Sequence, residues 1–192
     1  MKILLVVATK LEIIEEKFKN CDVIITGAGM VNTTFSLTKK LSEKTYDLVI
    51  NMGVAGSFSD EIKIGDVVEV VGDIFSEIGF ENGNSFFEFT NLRIENSFKV
   101  DKKTNLKKAK GITVNTVHGN EKTIAEIVSR LTPDVESMEG AACFMVCEKF
   151  EIPCIQIRAI SNKVEKRNTE NWDLDLAISN LNTEVEKTID YL

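Results

Sequence analysis

Residues 135–171 read VESMEGAACFMVCEKFEIPCIQIRAISNKVEKRNTEN, and the fold class turns on this stretch. It supplies an acidic turn, a helix expected from Met138 to Phe150, a strand expected from Cys154 to Ile160, and a polar loop. Gly140, Ala141 and Ala142 carry almost no side chain, so the start of that helix can approach its neighbours closely. CIQIRAI has the near-continuous apolar character of a strand covered on both faces, with Ser161 and Asn162 at its end. Arg158 interrupts that run and calls for a carboxylate partner if buried. Glu139 opens a turn that is otherwise small and apolar. Its carboxylate can accept both hydroxyls of a sugar diol, or it can be satisfied by backbone donors at the helix start.

Working outward, the same alternation recurs. Lys2–Ala8, KILLVVA, is a compact apolar strand. A short helix is expected from Leu11 to Phe18, which sets Glu12 either at the mouth of the strand, where open α/β sheets place ligands, or in a solvated first turn. Asp22–Thr26 is a second strand. It is followed by the turn Gly27-Ala28-Gly29, whose amides can approach a bound group, although GAGMVN lacks the last glycine of a dinucleotide-binding turn. A helix over Val31–Glu43 leads to a third strand, Asp47–Asn51, and to Met52-Gly53-Val54-Ala55-Gly56-Ser57. Repeated strand-to-glycine transitions of this kind imply an α/β layer structure with loops gathered at one edge of a sheet.

Further strands are expected at Ile64–Val71, opened by a Gly65-Asp66 turn, and at Gly111–Val117. Asn120 suits the N-cap of a helix over Glu121–Leu131 that Pro133 closes. His118, just before that cap, can donate a proton, bind a ligand or serve packing. In the last helix, Leu174, Ile178, Leu181, Val185, Ile189 and Leu192 form a core-facing stripe. Gly72–Lys103 follows no period; its phenylalanines, including Phe75, Phe80, Phe86, Phe87, Phe89 and Phe98, either cover a pocket or partner subunit or pack on the sheet.

The 192 residues suit one domain over 1–192, long enough to bury roughly 70% of its unfolded surface without a disulfide or metal. With 23 Lys plus Arg against 30 Asp plus Glu, the net charge of -7 opposes capture of nucleic acid or anionic membrane. The cluster Lys102, Lys103, Lys107, Lys108 and Lys110 has no interleaved aromatics and reads as a solvated face. Cys21, Cys143, Cys147 and Cys154 form no CxxC pair and one histidine completes no metal set, so no metal site is expected. Cys143 and Cys147 suit small buried thiols. The cysteine pattern suits the cytoplasm; no secretory segment is expected before the first strand, and no apolar run approaches the roughly 20 residues that span a bilayer.

Taken in order, GAGMVN (27–32), NMGVAG (51–56) with IGDVV (64–68), SMEGAA (137–142) and IRAISN (157–162) resemble the nucleoside phosphorylase and hydrolase superfamily, and its purine nucleoside hydrolases in particular. The SNKVEKRNTENW run is similar to that of futalosine hydrolases. The resemblance covers nearly the whole chain. It implies a single α/β domain with a mixed central sheet flanked by helices, assembly as a homo-oligomer (a dimer or larger), and no cofactor.

The resemblance also implies roles. Glu12 would order the attacking water, Glu139 would bind the ribose diol with Met138 beside the sugar, and Gly53, Val54, Ala55 and His118 would contact substrate. The family's final strand ends in an aspartate that aids the leaving purine, whereas this chain has Asn162. An amide cannot act as a comparable acid, but it can donate to O6 or N7 and accept from N1–H, which suits a 6-oxopurine better than adenine. The implied activity is hydrolysis of futalosine to hypoxanthine and dehypoxanthine futalosine, in a menaquinone pathway. The alternatives are an adenine-releasing methylthioadenosine/adenosylhomocysteine nucleosidase, a purine nucleoside phosphorylase, and a non-catalytic nucleoside-binding protein. Family phosphorylases place a glycine-associated arginine after the first strand; Ala8-Thr9-Lys10 and Glu12 stand there instead, though Lys10 could still hold an anion.

Overall fold

The computed structural model describes residues 1–83, 85–89, 92 and 94–192. In chain order the elements are β1 (Ile3–Val7), β2 (Asp22–Ile25), α1 (Met30–Glu43), β3 (Leu48–Ser57), β4 (Val67–Phe75), β5 (Phe80–Asn82) and β6 (Ser85–Phe87). Then come β7 (Ser97–Lys99), β8 (Lys107–Thr113), α2 (Glu121–Leu131), β9 (Val135–Ser137), α3 (Gly140–Lys149), β10 (Cys154–Lys163) and α4 (Leu174–Tyr191). Among the described residues no helix is long and apolar enough to cross a membrane.

Eight strands form one mixed sheet in the order β10-β4-β8-β9-β3-β1-β2, with β7 on β4 and a further pairing between β10 and β3. That last pairing closes β10, β4, β8, β9 and β3 into a ring, and β1 and β2 extend from it as an open parallel wing. One edge of β3 changes partner along its length: Leu48–Asn51 pair with β1, and Gly56 and Ser57 pair with β9. Met52–Ala55 therefore have no strand on that edge among the described residues, and the site is built there.

The core lies on both faces of the sheet. Leu37 and Leu41 of α1 and Phe144 and Val146 of α3 pack on one face, and Ala177, Leu181 and Val185 of α4 on the other. Burying each leucine stabilises the fold by about 1.5–3 kcal/mol. The α4 stripe is core only in its middle; Leu174 and Leu192 are exposed.

Several boundaries differ from those expected. Residues 11–18 form no continuous helix, only single turns at Lys10–Glu12 and Glu15–Lys17. β-branched Ile13 between them is extended (φ -128°, ψ 134°), and the Ile14 N–H is taken by Asn182. β3 runs straight through its glycines to Ser57, because β10 pairs along its other edge from Cys154 to Lys163. β8 spans Lys107–Thr113 in register with β4, so only Gly111–Thr113 of the strand expected at Gly111–Val117 are extended in the sheet. Val135–Ser137 form β9 and delay the next helix to Gly140.

The phenylalanine-rich excursion packs on the sheet in part. It holds the end of β4, the β5–β6 hairpin, and β7 paired with β4. Phe75 and Phe98 are buried edge to face with centroids 5.8 Å apart, whereas Phe80, Phe87 and Phe89 are exposed. Residues 84, 90, 91 and 93 of that excursion lie outside the described residues.

Candidate active site

The one-turn helix after β1 brings Glu12 to the open edge of β3. Its Oε2 accepts from the Thr9 N–H (2.8 Å) and Thr9 Oγ1 (3.2 Å), and its Oε1 accepts from the Val54 N–H (3.2 Å), a donor that no strand claims. A Cβ on Gly53 would lie 2.9 Å from Glu12 Oε1 and would overlap the Arg158 guanidinium. Gly53 therefore stands behind the carboxylate rather than before it. Asn182, fully buried in α4, clamps the segment by donating to Glu12 O (3.0 Å) and accepting from the Ile14 N–H (2.8 Å).

Glu139 caps α3 beside this group. Its Oε1 accepts from the Gly29 N–H (2.9 Å), and Gly29 holds φ 94°, a conformation that glycine alone adopts without strain. Only 6% of Glu139 is exposed, and this burial, with the nearby Glu12 charge adding, pushes its carboxyl above the ordinary range. Arg158 and the Gly29 amide pull the other way. The glycine-turn amides thus hold the protein's own carboxylates.

Arg158 is buried without the direct carboxylate partner its sequence position suggests. It donates through Nε to Gln156 Oε1 (3.2 Å) and through Nη2 to Asn51 Oδ1. Gln156 in turn donates to Asp73 Oδ2 (2.9 Å), Thr113 donates to Asp73 Oδ1 (2.9 Å), and the Ala141 N–H donates to Thr113 Oγ1 (2.7 Å). This buried chain joins β10, β4, β8 and the first turn of α3 beneath the two glutamates. A Cβ at Gly140 would overlap Gln156 and Asp73, so the small residue there makes room for the network.

A second group assembles at the other end of the cleft. β10 continues past Ile160 and its register with β3 shifts between Ile160 and Asn162, an irregularity that re-aims the end of the strand. Asn162 Oδ1 accepts from Ser161 Oγ (2.8 Å). Across Gly56, whose Cβ would lie 3.1 Å from Asn162 Nδ2 and 3.6 Å from Glu136 Cγ, stands Glu136 of β9. Glu136 accepts from the His118 N–H (3.0 Å) and pairs with His118 Nδ1 (2.6 Å).

One cavity of about 210 Å³ joins the two groups. Glu12, Glu139, Asn162, His118, Met138, Val54 and Ala55 all line it, and Gly53 does not. Its rim includes Arg167 and Trp172, the guanidinium 5.1 Å from the indole centroid. Glu136, Asn182, Arg167 and Trp172 were not singled out from sequence. Arg167 and Trp172 lie within the run quoted for the resemblance without being picked out of it, and Asn182 is a polar residue beside the apolar stripe of α4. Three thiols, Cys143, Cys147 and Cys154, lie within 4.8 Å of one another in the core, where two of them were expected.

The family model described as the phosphorylase superfamily matches residues 7–192. The chain is 29% identical over 171 residues to the aminodeoxyfutalosine nucleosidase of Campylobacter jejuni, covering 82% of this chain and 75% of that protein. It is 30% identical over 177 residues to a 5'-methylthioadenosine/S-adenosylhomocysteine nucleosidase of Buchnera aphidicola, covering 84% and 76%. The solved futalosine hydrolase of Helicobacter pylori superposes with a TM-score of 0.87 over 100% of this chain and 98% of that one; at 19% identity this is a likeness of fold alone.

Proposed function

The chain belongs to the phosphorylase superfamily, and from that premise we propose that it hydrolyses the N-glycosidic bond of a purine nucleoside. The observation that carries this reading is the convergence of Glu12, Glu139 and Asn162 on one cavity. As the bond lengthens, positive charge gathers on the ribosyl ring and negative charge on the base. Glu12 orients water and takes its proton, and Glu139 holds the 2′ and 3′ hydroxyls through the oxygen that Gly29 leaves free. Met138, Val54 and Ala55 bound the sugar, and Asn162 faces the departing base. A second carboxylate where a phosphorylase holds phosphate favours water over that anion. Lys10 is exposed, and it is not among the residues lining the cavity.

For the base, Asn162 favours a 6-oxopurine, and the substrate we propose is futalosine, giving hypoxanthine and dehypoxanthine futalosine. Relatives at 29% and 30% identity named for methylthioadenosine and adenosylhomocysteine favour a second reading, adenine release. Incubation with futalosine, inosine, adenosine and methylthioadenosine, with and without phosphate, separates these outcomes. The hydrolase reading expects turnover independent of phosphate. Release of hypoxanthine supports the first base assignment and release of adenine alone replaces it. Phosphate dependence, or binding without turnover, overturns hydrolysis itself.

The proposed setting is the cytoplasm, and the proposed assembly is a homo-oligomer. Val31 and Phe35 of α1 are exposed beside an apolar groove that suits contact between copies. Sedimentation of the purified chain tests that assembly.

A further inference from the structure

If hydrolysis proceeds as proposed, the departing purine needs a proton, and the residue at the end of β10 cannot give one because Asn162 carries an amide. The same end of the cavity holds a group that can. His118 follows β8 and lines the cavity, with 14% of its side chain exposed. Its Nδ1 is committed to Glu136 Oε2 at 2.6 Å, and the other Glu136 oxygen accepts from the His118 N–H. The ring is thereby fixed in orientation. Its Nε2, which has no partner among the described residues, is the nitrogen left for a ligand. Glu136 Cγ and Asn162 Nδ2 flank the same glycine, so the imidazole pair and the amide share one part of the cleft.

We propose that His118 is the proton donor to the leaving base and that Glu136 is its positioning residue. This rests on the hydrolase reading above. The C1′–N9 electron pair passes to the purine while the imidazolium gives its Nε2 proton to N7. Water bonds to C1′ and its proton goes to Glu12. Imidazole then regains a proton from solvent and Glu12 returns one, so the net consumption is one water. Among the described residues the charged groups that line the cavity with His118 are Glu136 on β9, Arg167, whose Cβ stands 3.2 Å from a Cβ placed on Gly119, Lys163 and Glu165, and the two glutamates Glu12 and Glu139. Phe58 presents a ring at 6.1 Å and no charge.

The test uses the full chain and the nucleoside it turns over fastest in the panel above, with the N7-methyl derivative of that nucleoside as the probe. Methylation makes the purine cationic, and it departs without a proton. His118→Gln should lower kcat about 100-fold on the parent nucleoside, in the range general acids contribute. On the methylated nucleoside it should change kcat less than about threefold. Glu136→Gln should lower parent kcat about tenfold with KM nearly unchanged.

A His118→Gln enzyme that keeps near-normal kcat on the parent nucleoside, or loses equal activity on both nucleosides, overturns the proposal. If the wild type hydrolyses no nucleoside of the panel, it is the hydrolase reading that fails.

Discussion

The two ends of the cavity differ in the balance of backbone and side-chain anchors. At the sugar end, two carboxylates are anchored by backbone N–H groups of Thr9, Val54 and Gly29 and lie over the buried cation Arg158. At the base end, side-chain bonds from Ser161 to Asn162 and between His118 and Glu136 carry more of the arrangement, beside a backbone bond at each of Asn162 and Glu136 and a strand irregularity. Backbone anchors keep charge in place, which suits groups that must meet developing positive charge without moving. Side-chain anchors let donor and acceptor exchange roles, which suits a base whose protonation changes as it leaves. The contrast predicts that changing Glu12 at the sugar end costs rate whatever the base, whereas changing Asn162 at the base end redirects which base is released.

Glu12→Gln is the most severe way to break the comparison. It removes the base that takes the water proton, and kcat should fall about 100-fold or more. The amide also cannot accept at both ends from Thr9 and Val54, so one buried donor is stranded and the fold should lose about 1–3 kcal/mol. Thermal melts beside the kinetics separate the two effects, and near-normal turnover would remove Glu12 from the chemistry. Glu139→Gln should act more mildly. Its amide oxygen can keep the Gly29 bond, but the second position turns from acceptor to donor toward the sugar. KM should rise about tenfold, with a smaller fall in kcat.

The same division marks how far the sequence could be read. Glu12 and Glu139 sit in short motifs next to elements whose apolar pattern is plain, and the alternation of strands and helices was enough for the α/β class. The base end depends on pairings distant in sequence. Glu136 belongs to a three-residue strand, too short to show a period, and it meets Asn162 only because β9 and β10 both flank β3. The clamp from Asn182 to Glu12 spans 170 positions. Glycines at 53 and 56 suggested a turn, since nothing local reveals that side chains arriving from β9, β10 and the turn after β1 need the space. Arg158 was expected to find a carboxylate; instead it bonds to two amides, because Asp73 lies one link further along a network drawn from β3, β4, β8, β10 and α3.

Asn162→Asp tests the base end. The new carboxyl would face Glu136 across Gly56 and would replace the Nδ2 donor to Lys163 O, so both neighbours favour its protonated form. A protonated aspartate can donate to N7. Release of adenine relative to hypoxanthine should then rise roughly tenfold, most at lower pH. An unchanged preference across the pH series counts against base recognition by this residue.

The smallest effect probes what lies under the sugar end. Burial pushes the Asp73 carboxyl up to about 7, against the opposing pull of Thr113 and Arg158, from 3.8 when unfolded. Between about pH 4 and 7 the folded chain therefore holds a proton that the unfolded chain has lost, so stability falls as pH rises through that window and levels above it. The full span corresponds to an upper limit of about 4 kcal/mol, reduced in practice by residual hydration. Asp73→Asn is neutral throughout. Its oxygen can accept from Gln156, and its amide can donate to Thr113 Oγ1, which would then turn its own hydrogen elsewhere. The variant's Tm relative to wild type should be lowest near about pH 4, rise toward about pH 7 and level above it. A difference that does not vary with pH would mean that Asp73 stays ionised beneath the two glutamates, and that Arg158 compensates three carboxylates at once.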